Sequence, residues 1–358
     1  MNNRITPIIQ NIPIIQNTQN IPSTPKTLIT PITPIKTMKH LCLFFIVLTL
    51  TSCFKPSKGK EAEQEESKDY SSFYDQGNTS ACWIYAMCAC IEREQLRTGD
   101  SIALSRQWLL ARGMEEHTRR LYWMHKQGYE MTPPAADPRM GFTMRGVGPE
   151  AIRLIKEYGL VPYSHEKTHI INDRATIRRL TTIANTAATP QQLDEQLYDL
   201  LPQFTVARHT YGSQSPSFFY YSMRYTPQQF AESIMYHQNW QFYASEEHYP
   251  WGSRFALETP DNYRYHQYTN MPMDSIVIKV TSSLKQGHPV YWEYGKHGRT
   301  SDHAMAIVGI THDKKTDELL FVCQNSYGIK WGKHGKCAVP LSYFRKHTSN
   351  VGLVTSVE

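Results

Sequence analysis

The residues best suited to chemistry begin at Cys82, in the stretch DQGNTSACWIYAMCACIE (Asp75–Glu92). Cys82 follows turn-forming residues, precedes Trp83 and opens an apolar run free of Gly and Pro. A thiol attacks a carbonyl carbon as the thiolate, so a nucleophilic Cys needs its pKa lowered; a helix N-terminus does this through its dipole, and a nearby imidazolium adds to it. Acyl transfer also needs donors aimed at the developing oxyanion. Gln76, across the turn GNTSA, supplies a side-chain N–H beside the backbone N–H of Cys82. A base and a group to orient it complete the set. His303 heads the apolar run in TSDHAMAIVG, and Asn325 ends the next run, LLFVCQNSYG, 22 residues later. If the two runs pair as strands through the turn near HDKKTDE, the amide of Asn325 meets the imidazole and holds its tautomer.

These positions require a helix after Ala81 and a sheet near the C-terminus. Apolar Ile84, Met87, Cys88, Ile91 and Leu96 recur at helical spacing before Gly99. Further helices are predicted in LSRQWLLARGMEEHTRRLYWMHKQG, in GPEAIRLIKEYGLVP (Pro149 near its start, Gly159 past its end), in ATIRRLTTIANTAATPQQLDEQLYDLL as one or two, and in YTPQQFAESIMYHQ. From about residue 276 the runs SIVIKV, HPVYWEY, HAMAIVGITH, LLFVCQNSYG and KCAVPL read as strands of an antiparallel sheet or barrel. A helical first half before a strand-rich last quarter predicts an α+β fold with two subdomains.

Gln76-x5-Cys82-Trp83, Asp302-His303-Ala304, Asn325-Ser326-x-Gly328 and Trp331-Gly332-x-x-Gly335 together resemble the papain-like cysteine peptidases. The resemblance covers most of the body. It implies a helical subdomain, with Cys82 at a helix N-terminus, packed on a C-terminal antiparallel β-barrel-like subdomain. It makes Cys82 the nucleophile, His303 general base and acid, Asn325 the orienter and Gln76 the oxyanion donor. RGVGPEAIRLIKEYGLVP is similar to the family's substrate-cleft segment, which places Gly146 where a peptide backbone pairs with the enzyme; Trp83 joins it as a cleft residue, although packing is its simpler role. Within the family the chain is closer to the bleomycin hydrolase and aminopeptidase C branch. Cys82 and His303 lie 221 residues apart, beyond the ~130–150 of the papain and cathepsin signature. TPQQFAESI and YHQYTNMPMDSIVIKVTSSLKQGHPVYWEY resemble that branch's linking segment, and the 22 residues between Cys53 and Gln76 leave no room for a cathepsin-like propeptide.

Three departures stand out. Tyr327 takes the place of the Trp that shields the Asn–His bond, which bears on rate. Arg145 replaces a first cleft Gly, which bears on subsites. The 33 residues after Asn325 leave little for the branch's C-terminal arm, which bears on aminopeptidase action.

The N-terminal region reads as processing sequence. Residues 1–37 repeat Ile, Thr, Pro, Asn and Gln without apolar periodicity. MKHLCLFFIVLTLTSC follows as a signal peptide over residues 38–52, with a basic start, an apolar core too short to span a bilayer, and Leu50-Thr51-Ser52-Cys53 resembling a bacterial lipobox. Cys53 is therefore the expected lipidation site, Met38 the expected initiator rather than Met1, and the bacterial cell envelope the expected location. Residues 53–69 read as a charged tether. The peptidase domain is expected over 70–358: a helical half (70–165), a linking insertion (166–275) and a strand-rich half (276–358).

The formal charge of +6 belongs mainly to this leader: residues 1–52 hold four cations and no acid, leaving 34 Lys and Arg against 32 Asp and Glu. A net +2 gives a nucleic-acid partner no electrostatic support. Hydrophobic residues at 40% and aromatics at 12% suit a globular enzyme. His117 and His125 lack metal-ligand spacing, and MRGVGPEA lacks a P-loop Lys, so neither metal nor cofactor is expected. Cys88 and Cys90 read as core. Cys323 and Cys337 are placed on neighbouring strands, as core thiols more readily than as a bridge.

The expected activity is hydrolysis of peptide bonds in a peptide or protein substrate through a Cys82 thioester, as aminopeptidase or endopeptidase, with the oligomeric state open. The rivals are a cell-wall amidase or acyl transferase with the same Cys–His logic, and a peptidase-like binding lipoprotein that has lost turnover.

Overall fold

The computed structural model describes residues 73–128, 144, 146–166, 173–201, 217–247, 254–255, 266–295 and 303–356. The chain divides into units 1–64 and 65–358, and all that follows concerns the second. The leader, the signal peptide, the tether with Cys53, Arg145 and Asp302 lie outside the described residues.

Helix α1 (Cys82–Arg97) is buried nearly all round, through Trp83, Ile84, Met87, Cys88, Cys90 and Ile91, as befits a helix enclosed by other elements. It stops at Gly99, whose φ of 98° suits only glycine. Helix α2 (Arg106–Lys126) is capped by Ser105, whose Oγ accepts from Trp108 N at 3.0 Å. The two helices are joined by a buried ion pair. Arg106 engages both carboxylate oxygens of Glu92, with Nη2–Oε2 at 2.7 Å, and Leu104 N donates to the same carboxylate at 2.7 Å. Helix α3 (Gly148–Tyr158) starts with Pro149 in its first turn and ends at Gly159, as predicted. A Cβ at Gly159 would sit 2.0 Å from the Pro227 carbonyl carbon, so the next segment approaches that backbone directly.

After a single 3-10 turn (Tyr163–His165) come α4 (Asp173–Thr186) and α5 (Pro190–Leu200), so the long helical stretch is two helices. The hairpin β1 (Phe218–Tyr220) and β2 (Met223–Tyr225) leads into α6 (Pro227–Met235), which opens with a capping box between Thr226 and Gln229. Then follow β3 (Gln238–Ser245), the short pair β4 (Arg254–Phe255) and β5 (His266–Gln267), β6 (Thr269–Met271) and α7 (Met273–Lys285). The chain continues through β7 (Val290–Tyr294), β8 (His303–His312), β9 (Leu319–Gln324), β10 (Lys336–Pro340), α8 (Leu341–His347) and β11 (Thr348–Ser356).

Two expectations need correction. SIVIKV belongs to helix α7, because Met273, Ile276, Val280 and Leu284 are buried at helical spacing and outweigh the strand preference of the β-branched residues. The sheet is also not a closed barrel. Its order is β10-β9-β8-β7-β11-β3-β6, antiparallel except for the parallel β3–β6 pair, and β10 and β6 do not pair with each other. Two of its strands, β3 and β6, come from the segment expected to be a linking insertion.

Alternation along β7 divides the core. Tyr291 faces the helices with Ala304 and Ala306 of β8, whereas Val290 and Trp292 face α7 and α8 with Met305, Ile307 and Phe344. Both cores lie within unit 65–358. Helix α1 packs across β7 and β8 on the first face, which brings its N-terminus to the sheet.

Candidate active site

Cys82 is the first residue of α1, half-buried and not disulfide-bonded. Its cap, Ala81, offers no side-chain acceptor, and the first turn holds no acid. The positive end of the helix dipole is thus not answered by a side chain of the first turn and is available to a thiolate.

His303 opens β8, the strand on which α1 packs. Strands β8 and β9 pair antiparallel around the turn at Asp313–Glu318, with a register shift between Ile307 and Gly309. The pairing brings His303 Nε2 to 2.7 Å from Asn325 Oδ1. That atom of Asn325 also accepts from the backbone N–H of Ser326 at 2.7 Å. A backbone N–H only donates, so the atom is the amide oxygen, and Nε2 of His303 carries its proton. Nδ1 is then left as the basic nitrogen. Burial pushes the imidazole below its ordinary pKa, opposed by the hydrogen bond to Asn325, and so favours the neutral form that a base requires.

Two tyrosines enclose the imidazole. Tyr327 stacks on it, with centroids 5.1 Å apart and planes at 24°, and Tyr294 meets it edge-on at 5.8 Å. Trp331 stands edge-on to Tyr327 at 6.0 Å. Burial, and then the charge that Cys82 carries when ionised, push the Tyr327 phenol up. Tyr327 remains 42% exposed, so it covers the face of the imidazole while meeting solvent.

Gln76 is buried and doubly held. Its Nε2 donates to Thr79 O at 2.7 Å, and its Oε1 accepts from Ser326 Oγ at 2.5 Å. Its backbone N–H donates to Ser326 O at 2.7 Å. An amide nitrogen has two hydrogens, and the bond to Thr79 uses one. Ser326 therefore ties the base-orienting residue to the expected oxyanion donor. Its role was not predicted: the partners are 250 residues apart, and a Ser beside an Asn has no pattern of its own.

Gly146 and Trp83 are brought together. A Cβ on Gly146 would lie 2.4 Å from the Trp83 ring, and the indole N–H donates to Met144 O at 2.9 Å. With Trp83 only 3% exposed, its place is behind the Gly146 backbone, as a wall. A second unpredicted residue stands close by. Glu293, fully buried on β7, accepts from Gly148 N (2.9 Å), Tyr291 Oη (2.7 Å) and Asn350 Nδ2 (2.8 Å), and so holds the N-terminus of α3 next to Gly146. An acidic residue inside the apolar run VYWEY was the available signal.

Among the described residues no group of three or more His, Cys, Asp or Glu is placed to hold a metal ion, and no helix is long and apolar enough to cross a membrane.

The model of the Peptidase_C39 like family matches residues 205–347, a span that contains His303 and Asn325 and begins well after Cys82. No curated protein matches the sequence. Among solved structures, PepW from Lactobacillus rhamnosis HN001 aligns with a TM-score of 0.57 at 16% identity over 80% of each chain. SERA5E from Plasmodium falciparum aligns with a TM-score of 0.42 at 13% identity, over 82% of this chain and 93% of that one. The proform of the ragweed pollen cysteine protease Amb a 11 gives 0.38 at 13%, over 80% and 62%. The chain has an α+β papain-like fold, and the family match supports a cysteine-type peptidase.

Proposed function

We propose that this chain hydrolyses peptide bonds through a thioester on Cys82. His303 Nδ1 takes the proton of the Cys82 thiol, the thiolate attacks the scissile carbonyl carbon, and the backbone N–H of Cys82 and the second hydrogen of Gln76 Nε2 receive the oxyanion. The C–N bond breaks as His303 Nδ1 gives its proton to the leaving amine. His303 then takes a proton from water, whose hydroxide attacks the thioester and releases the acid and the thiol. Asn325 keeps Nδ1 as the reacting nitrogen throughout. The observation that carries this reading is the 2.7 Å His303–Asn325 bond, with His303 on the strand that packs against the helix opened by Cys82.

The reading extends to a lipoprotein of a bacterial envelope, anchored at Cys53; its support is the LTSC ending of the signal-like segment. It also extends to the bleomycin hydrolase and aminopeptidase C branch, supported by the long Cys82–His303 separation. The described C-terminal residues, Thr348–Ser356, form a strand between β7 and β3, so none of these is an arm laid along the cleft.

The test uses residues 65–358, which hold both cores, with Cys82→Ala as control. Fluorogenic peptides with free and with acetylated amino termini are compared. Cleavage abolished by Cys82→Ala supports the peptidase; restriction to free amines makes it an aminopeptidase, and equal cleavage of blocked peptides makes it an endopeptidase. No cleavage of either, with Cys82 no more reactive than an ordinary thiol, overturns the proposal in favour of a binding protein.

A further inference from the structure

Outside the active site, two thiols face one another on the sheet. Cys323 of β9 and Cys337 of β10 are direct cross-strand partners in the antiparallel register, and each thiol bears on the other's pKa. Opposed residues of an antiparallel pair have Cα atoms about 4.5–5.5 Å apart, within the range a disulfide spans without moving the backbone. Both are free in this structure. Their environments differ. Cys323 is fully buried, with its sulfur 3.6 Å from Phe321 O, whereas Cys337 is half-buried.

We propose that Cys323 and Cys337 form a thiol–disulfide exchange site, which takes a small-molecule disulfide as oxidant and closes into a bridge between β9 and β10. The partly exposed Cys337 thiolate attacks the disulfide RSSR, forming a Cys337–SR mixed disulfide and expelling one thiolate. Cys323 gives up its proton and attacks the Cys337 sulfur; the Cys337–SR bond breaks and the second thiolate leaves. Two protein thiols are oxidised to one disulfide, and RSSR is reduced to two RSH. The neighbouring Cys323 thiol lowers the Cys337 pKa and burial raises that of Cys323, consistent with this order of attack.

The bridge has a consequence at the active site. Asn325 follows Cys323 by two residues, and its backbone N–H donates to Gly335 O at 3.0 Å, two residues before Cys337. The disulfide would therefore close the ladder that presents Asn325 to His303. It stands independently of peptidase turnover.

The experiment uses the full chain carrying Cys82→Ala, so that this thiol cannot compete. The protein is equilibrated with glutathione disulfide, quenched in acid, denatured, alkylated and digested with trypsin. We expect the peptides Thr316–Lys330 and Cys337–Arg345 joined by a disulfide, with Cys88 and Cys90 alkylated as free thiols. With Cys323→Ser, glutathione should stay trapped on Cys337; with Cys337→Ser, Cys323 should remain fully alkylable. The bridged protein should also unfold at a higher temperature than the same sample after reduction. Recovery of both cysteines as alkylated thiols overturns the proposal, as does protection of Cys323 in Cys337→Ser. Absence of the trapped adduct in Cys323→Ser overturns the assigned order of attack.

Discussion

Replacing Ser326 by Ala tests whether the two halves of the site act as one unit. The hydroxyl donates to Gln76 Oε1 at 2.5 Å and lies 3.4 Å from Asn325 Oδ1. Removing it leaves the buried Gln76 oxygen without that donor, at a cost of about 1–3 kcal/mol. The second anchor of the amide, Nε2 to Thr79 O, survives, so the side chain is loosened rather than released. Complete loss of an oxyanion donor lowers kcat by roughly 10²–10³-fold; partial loss of its aim should lower kcat about 10–100-fold, with KM little changed. The assay is a double-mutant cycle on peptide hydrolysis with Gln76→Ala. Because Ser326 acts through Gln76, Ser326→Ala should reduce kcat far less in the Gln76→Ala background than alone. Fully additive losses would refute the coupling, and an unchanged kcat in Ser326→Ala would remove Gln76 from the oxyanion role.

Gly146→Ala would drive its Cβ to 2.4 Å from the Trp83 ring, displacing the cleft edge; kcat/KM should fall by 10-fold or more, on the order of a small misplacement at a reacting site, and Trp83→Phe should restore part of it. Arg106→Met strands the buried Glu92 carboxylate and should lower stability by about 3–5 kcal/mol in chemical denaturation, whereas replacing both partners by apolar residues should cost less. In a Cys82→Ala background, His303 has a folded pKa below its unfolded value. Its neutral form thus stabilises the fold above the unfolded pKa, about 6.5, and that contribution is lost as pH falls through the folded value. Denaturation between pH 7 and pH 5 should therefore show a steeper loss of stability with His303 than with His303→Gln.

The arrangement of the candidate site was legible wherever a local pattern forced a position. Gly and turn residues before Cys82 marked a helix start, and two apolar runs flanking a polar turn set His303 beside Asn325. What escaped was set by tertiary packing. SIVIKV taken alone is β-branched, and only with Met273 and Leu284 included does the buried stripe of α7 show the helical period. The place of β3 depends on pairing with β11 across more than a hundred residues, and that of β6 on a parallel pairing with β3, neither of which a local window contains. Tyr327 marked a departure from the papain-like pattern, yet its stacking on His303 follows from the turn geometry after β9, where Gly328 has a φ of 74°.

The central claim is that α1 and His303 together activate Cys82. Its most direct test is the rate of alkylation of Cys82 by iodoacetamide against pH, read on the peptide that carries it, in the unmodified protein and in His303→Ala. The account predicts fast alkylation well below the ordinary thiol pKa of about 8.5, with a marked shift towards that value in His303→Ala. A profile at the ordinary value in both proteins would contradict it.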